Sequence, residues 1–307
     1  MSFSNLANIS RKKIVWAIDA FAEAGRQERG TRFIDRLSGS MDKDVEPVFV
    51  LTPHNVRVRH DFFPAWIDAY RASAESILKN LVKKCSITKL LSPRILIHDG
   101  SKRDDVDTLL KYCGEQKVEA IVVSSHFEER FLRIFHRSFA EILLIRSACP
   151  VVILNPLADM SRGISHIVFP TDFRKDSFKS FEAVLRLAKA FKARLTIYCK
   201  NQIPLYLASQ SSPYFHLYFE EEVQQRKELA QEWVDLARDK GVSCKAEINE
   251  NVFSGQIGEC ILDYSLSVKA DLIFMVSKSS ALGAFFGTSI SRFVARNALC
   301  PVYVVHA

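Results

Sequence analysis

The chain alternates short, wholly apolar runs with longer stretches in which apolar residues recur every three to four positions. Lys13-Ile-Val-Trp-Ala-Ile-Asp19, Glu119-Ala-Ile-Val-Val-Ser-Ser125 and Ala148-Cys-Pro-Val-Val-Ile-Leu154 are runs of the first kind. His166-Ile-Val-Phe-Pro-Thr-Asp172, Asp271-Leu-Ile-Phe-Met-Val-Ser277 and Leu299-Cys-Pro-Val-Tyr-Val-Val305 repeat them, displaced by 153, 152 and 151 residues. Three blocks in the same order at nearly constant spacing identify a duplicated unit.

Runs rich in Val and Ile that end on a turn or a polar residue read as strands of a parallel sheet, buried on both faces. The intervening stretches have helical period. Phe178, Phe181, Val184, Leu185, Leu187, Ala188 and Phe191 form one stripe, and Val223, Leu229, Ala230, Trp233, Leu236 and Ala237 another, with Gly241 as a left-handed stop. The first copy therefore predicts strands over 13–18, 46–51, 93–98, 119–124 and 150–154, with helices over 22–39, 64–85, 102–116 and 136–147. The second predicts strands over 166–171, 194–199, 243–248, 271–276 and 301–306, with helices over 175–192, 215–240, 254–268 and 287–298. Strict alternation implies right-handed crossovers and an α/β fold of two repeated doubly wound domains, each with a mainly parallel five-stranded sheet flanked by helices. The domains are expected over 1–155 and 164–307, joined by a short polar linker over 156–163.

Length and composition agree with two soluble domains: 307 residues, 48% hydrophobic, 25% charged, mean hydropathy near zero. No segment approaches the ~20 uncharged apolar residues of a membrane helix. The first thirteen residues lack a signal-peptide core, so a cytoplasmic location is expected. Seven scattered cysteines without a C-x-x-C read as reduced, small hydrophobic residues and predict neither a disulfide framework nor a metal site. The net charge of +7 is spread thinly, with 24 Lys/Arg against 19 Asp/Glu in residues 1–155 and 18 against 16 in the remainder. That balance argues against a nucleic-acid partner, which calls for basic residues on one face.

A unit that opens with a strand ending Pro-Thr-Asp (170–172) and closes on Cys-Pro-Val-x-Val-Val (300–305) resembles the universal stress protein family, twice over along the chain. The resemblance implies the adenine nucleotide alpha hydrolase-like fold, a role in stress adaptation or regulation, and an internal pseudo-dimer of the two domains meeting at their last strands, with room for a homodimer of the whole chain. It also implies an adenine-nucleotide site in three parts: an Asp closing the first strand, a Gly-x2-Gly turn after the fourth, and a Gly-Ser/Thr opening the last helix. Glycines allow the backbone to approach phosphate oxygens, and a helix N-terminus offers free N–H groups. Asp19 and Asp172 supply the acids, although either side chain could equally cap the turn that follows it. In the first copy Ser124, Phe127 and Arg137 stand where glycines belong and only Ser138 fits. Phe127 blocks close phosphate approach, whereas Arg137 could pair with an anion. In the second copy Val276 and Ser279 replace the first two glycines, Ser277 follows the fourth strand, and Gly287, Thr288 and Ser289 resemble the third element, displaced by about one residue. The cradle is thus degraded twice; Ser138 and Ser289 could serve merely as helix caps.

Catalytic signatures are absent: no G-x-S-x-G, H-E-x-x-H or G-x-x-x-x-G-K-[ST]. The aromatic segments Gln202–Phe219 and His54–Trp66 follow the second strand of each copy, where they either pack the start of a long helix or cover a ligand. The expectation is a non-catalytic regulatory protein binding ATP or another adenine nucleotide, an unidentified small molecule or a protein partner. Slow ATP hydrolysis at the second copy, around Asp172, Gly287, Thr288 and Ser289, is the alternative.

Overall fold

Each apolar block becomes a strand whose two faces are covered by crossover helices. The computed structural model describes residues 13–21, 24–52, 63–98, 104–124, 139–155, 157–160, 163–201, 213–251, 255–277 and 287–306. Two units divide between Ser161 and Arg162. In the first, β1 (Lys13–Ala17), β2 (Asp44–Leu51), β3 (Arg94–Ile97), β4 (Ala120–Ser124) and β5 (Val151–Leu154) alternate with α1 (Ala24–Met41), α2 (Phe63–Lys84), α3 (Asp104–Glu115) and α4 (Phe139–Arg146). In the second, β6 (His166–Pro170), β7 (Arg194–Lys200), β8 (Cys244–Asn249), β9 (Leu272–Ser277) and β10 (Val302–His306) alternate with α5 (Lys175–Phe191), α6 (Pro213–Asp239), α7 (Ile257–Ser267) and α8 (Gly287–Asn297). Among the described residues the predicted and observed ends agree within three residues; α4 is described from Phe139, the predicted residues 136–138 lying outside the described residues, and α7 begins at Ile257.

The strand order is β3-β2-β1-β4-β5 in the first unit and β8-β7-β6-β9-β10 in the second. β1 runs parallel to β2 and β4, and β6 to β7 and β9. The order therefore reverses between β1 and β4, and between β6 and β9. Ile14, Val15, Ile121, Val122, Ile167, Val168, Leu272 and Ile273 are fully buried, as a doubly covered sheet requires. In the second unit Trp233 of α6 stacks on Phe181 of α5 at 4.5 Å, and Phe169 of β6 meets both Phe181 and Phe274 of β9. The predicted stripes face this core, except that Phe178 and Leu229 lie at its margin and stay partly exposed.

Five helix-to-strand turns close in the same way. Asp42, Lys117, Lys192, Gly241 and Lys269 adopt left-handed backbone, with φ between 52° and 77°. In each, the N–H of the left-handed residue and of its successor return to the helix, as in Lys117 N to Gly114 O and Val118 N to Cys113 O, or Lys269 N to Leu266 O and Ala270 N to Ser265 O. These paired bonds satisfy carbonyls that a helix end leaves open. Glycine at 241 was foreseen; four of the five turns manage without one.

The strands' amino ends carry polar clusters that differ between the units. Lys13 Nζ donates to Glu46 Oε2 at 2.5 Å and to the Tyr112 hydroxyl at 2.9 Å, Tyr112 donates to Glu46 at 2.6 Å, and Arg94 Nε lies 3.2 Å from Oε1. Burial opposes charge on Glu46, yet the hydrogen bonds from Lys13, Tyr112 and Arg94 hold its carboxyl below the usual range. The place of Lys13 is taken in the second unit by His166, which is 2% exposed. Its Nε2 pairs with Thr196 Oγ1 at 2.8 Å, and Nδ1 lies near the Val268 carbonyl at 3.3 Å and Arg194 Nη2 at 3.2 Å. Burial first, then the Arg194 guanidinium and Lys245, lower its pKa, while the Val268 carbonyl and Asp271 pull the other way.

Two outcomes are expected. Glu46→Ala strands the Lys13 ammonium without its counter-charge, and urea unfolding should show a loss of about 3 kcal/mol. For His166, the unfolded chain takes up a proton below about pH 6.5 that the folded protein refuses, so stability is complete above that pH and drains as pH falls. Between about pH 7 and about pH 5 the melting temperature of the native protein should therefore drop more than that of His166→Gln; equal drops would exclude this assignment.

Candidate functional site

Open parallel sheets bind ligands beyond the carboxyl ends of their strands, where the order reverses. In the second unit that crevice lies between β6 and β9. Asp172 stands two residues past β6, Ser277 ends β9, and Gly287, Thr288 and Ser289 form the first turn of α8. All five fall on the carboxyl side of the sheet. Ser289 is the third residue of α8, so it is not the cap of that helix. In the first unit Asp19 follows β1 and Ser124 ends β4, again at the reversal. Arg137 and Ser138, with Phe127, lie outside the described residues.

Both acids are engaged by their own turns. Asp19 Oδ1 accepts from the Phe21 N–H at 3.0 Å. Asp172 Oδ1 accepts from the Arg174 N–H at 3.3 Å and the Ser177 hydroxyl at 3.0 Å, and Oδ2 lies 3.2 Å from Arg174 Nε. Arg174, the residue before α5, makes no side-chain cap, so Asp172 braces the helix entrance from outside. Its side chain remains 42% exposed. The turn is held from below by Phe173, which has φ +56°, is buried, and meets Trp233 edge-on at 5.2 Å. A left-handed aromatic residue costs roughly 1–2 kcal/mol, and it persists because the ring is fixed in the core. The buried side chain thereby sets where Asp172 projects.

Three further residues share this edge. Asn201, one residue past β7, is 3% exposed and bonds through its backbone N–H to the Asn249 carbonyl at 3.0 Å. Arg226 of α6 donates Nη1 to Asn201 Oδ1 at 2.7 Å, and Nη2 lies 3.3 Å from Glu222. The same Nη1 reaches Cys199 Sγ at 3.8 Å. Burial pushes the Cys199 thiol up, Arg226 opposes this and Asp172 adds to it, so the thiol stays protonated and unreactive. Sequence reasoning passed over Asn201 and Arg226. The one available signal was a polar residue closing an apolar strand on the ligand side.

The remaining candidates change little. Residues 202–212 lie outside the described residues, and Tyr214, Phe215, Tyr218 and Phe219 belong to the opening turns of α6. Trp66, on the first turn of α2, is 56% exposed and so does not pack that helix inward. All seven cysteines are free thiols. Among the described residues no group of His, Cys, Asp and Glu could hold a metal ion, and no helix is long and apolar enough to cross a membrane.

Residues 163–306 match the profile of the Universal stress protein family. No curated protein matches the sequence. A universal stress protein from Archaeoglobus fulgidus DSM 4304 has a similar structure over 96% of this chain and 96% of its own, with TM-score 0.65 and 18% identity. A functionally unknown protein from Pseudomonas aeruginosa PAO1 does so over 97% and 93%, with TM-score 0.61 and 13% identity. At these identities the likeness establishes the fold, and its coverage extends through both units.

The position of α8 depends on one glycine. A Cβ at Gly258 of α7 would lie 2.5 Å from the Phe293 ring of α8, so the absent side chain lets the two helices approach. Gly258→Ala should push α8 outward and cost about 2 kcal/mol by thermal or urea unfolding; a neutral substitution would show that Phe293 simply swings aside.

Proposed function

We propose that the chain, whose residues 163–306 match the Universal stress protein family, is a tandem universal-stress-type regulatory protein which binds a nucleotide in its second unit and performs no covalent chemistry. The observation that carries this reading is the convergence of Asp172 and the first turn of α8 on the two sides of the β6–β9 reversal. The N–H groups and positive end of α8 suit a phosphate, while Asp172 suits a ribose hydroxyl, which a carboxylate accepts directly. The sequence supports a different fate for the first unit, where the bulk of Phe127 and the side chain of Arg137 replace glycines. Only one nucleotide per chain is therefore expected. Regulation through a ligand-dependent surface then replaces catalysis as the role.

Isothermal titration of the full chain with magnesium–ATP and magnesium–GTP tests this. One site per chain is expected, Asp172→Ala should weaken it about tenfold, and Asp19→Ala should leave it unchanged. Binding of neither nucleotide, or steady phosphate release abolished by Asp172→Ala, would overturn the reading.

A further inference from the structure

Left-handed backbone in a residue other than glycine occurs at five described positions, and four of them end helices. There the paired bonds back to the helix offset the strain. Phe173 is the exception. Its N–H turns to the Thr171 hydroxyl oxygen at 3.2 Å, within the loop that joins β6 to α5. What holds it is the buried ring, which meets Trp233 edge-on at 5.2 Å. Trp233 is itself fixed, stacked on Phe181 at 4.5 Å and meeting Phe178 edge-on at 5.8 Å. Strain of this kind persists where the surroundings over-determine it, and it gathers at sites of function.

The first unit lacks this arrangement. Its turn Asp19-Ala20-Phe21 has the same bond from an N–H to the acid two residues earlier, at 3.0 Å against 3.3 Å in Asp172-Phe173-Arg174. Ala20 has no ring to seat and is not left-handed. In the second unit the strained residue lies between the acid and the N–H it accepts. Turning Phe173 φ to its ordinary negative range rotates Asp172 against Arg174, which breaks that bond and carries the carboxylate from the Ser177 hydroxyl. Both ends of the loop are pinned, the Thr171 N–H to the Tyr198 carbonyl and the Ser177 N–H to the Arg174 carbonyl. Relief of the strain therefore unseats the ring and releases Asp172 together.

We infer that Phe173 is a positioning residue which, through its ring against Trp233, holds Asp172 in its ligand-binding orientation and so couples occupancy of the carboxyl rim to the packing of the aromatic core. The inference rests on the nucleotide reading above and adds the regulation of that site. Coupling of this kind is reciprocal. A ligand that engages Asp172 favours the seated ring, and whatever loosens the ring weakens the ligand.

Phe173→Leu keeps an apolar side chain and removes the ring edge, and Trp233→Phe loosens the same seat from within the core. Phe274→Leu trims a ring of that core which meets Phe169 and Tyr303. The full-length native protein, these variants, Asp172→Ala and the double variant Asp172→Ala/Phe173→Leu are titrated with magnesium–ATP and magnesium–GTP, with melting temperatures measured alongside. Phe173→Leu and Trp233→Phe should each weaken whichever nucleotide the native protein binds about fivefold. Phe173→Leu should add no further loss to Asp172→Ala, because it acts through the acid. Phe274→Leu should lower the melting temperature at unchanged affinity. In the ligand-free protein, hydrogen exchange of the Arg174 N–H should quicken in Phe173→Leu, while that of the Ala193 N–H keeps its rate. Native affinity in Phe173→Leu or Trp233→Phe, an additive loss in the double variant, an equal loss in Phe274→Leu, or unchanged exchange at Arg174 assigns the ring to the fold alone and overturns the inference, while the nucleotide reading stands. Binding of neither nucleotide by the native protein removes both.

Discussion

Parallel strand pairing is the constraint from which the rest of this protein follows. Parallel neighbours cannot be joined by a tight turn, so each connection crosses the sheet as a helix and both faces of the sheet are covered. Ile14, Val15, Ile167 and Val168 have no access to water, and such positions tolerate no chemistry. Polar side chains are driven to the strand ends. There they divide into two rims, one holding the strands' beginnings together and one available to a ligand. Asp172, Ser277, Asn201 and the first turn of α8 share the second rim, since each follows or ends a strand at its carboxyl end.

The two units meet the same demand with different residues at the first rim. Lys13, Glu46, Tyr112 and Arg94 form a charged cluster in which every buried charge has a counter-charge. His166, Thr196 and Arg194 form a cluster whose central group is neutral. Backbone geometry is shared, down to the left-handed residues at Lys117 and Lys269 that end α3 and α7, while side-chain chemistry has diverged. The carboxyl rims diverge similarly. Asp19 accepts from the Phe21 N–H of its own turn, whereas Asp172 braces α5 through Ser177 and Arg174 and rests on a strained, aromatic-anchored turn.

The architecture was legible because apolar runs and helical stripes report burial directly, and burial is what the sheet imposes. The α7 start moved by three residues because its capping box pairs Gln256 with Glu259, and glutamine is a weak sequence signal for a cap. Four left-handed turns were invisible for a related reason: Asp42, Lys117, Lys192 and Lys269 carry no glycine, and only the closing pair of backbone bonds reveals them. Asp172 and the α8 turn could be placed from strand ends alone. Arg226 could not, since it lies 25 residues from its partner Asn201 and reaches it through helix packing that periodicity does not encode. Ser289 sits inside α8, so a hydroxyl near a helix start was a poor guide to which residue caps it.

The exchange of Lys13 for His166 gives the halves unequal tolerance of acid. The ion pair of the first unit is kept until the medium is acidic enough to protonate a carboxyl already held below its usual range. The imidazole of the second unit begins to cost stability as soon as the surroundings turn mildly acidic. Acidification would thus loosen the carboxyl-terminal half first, while its amino-terminal twin still stands.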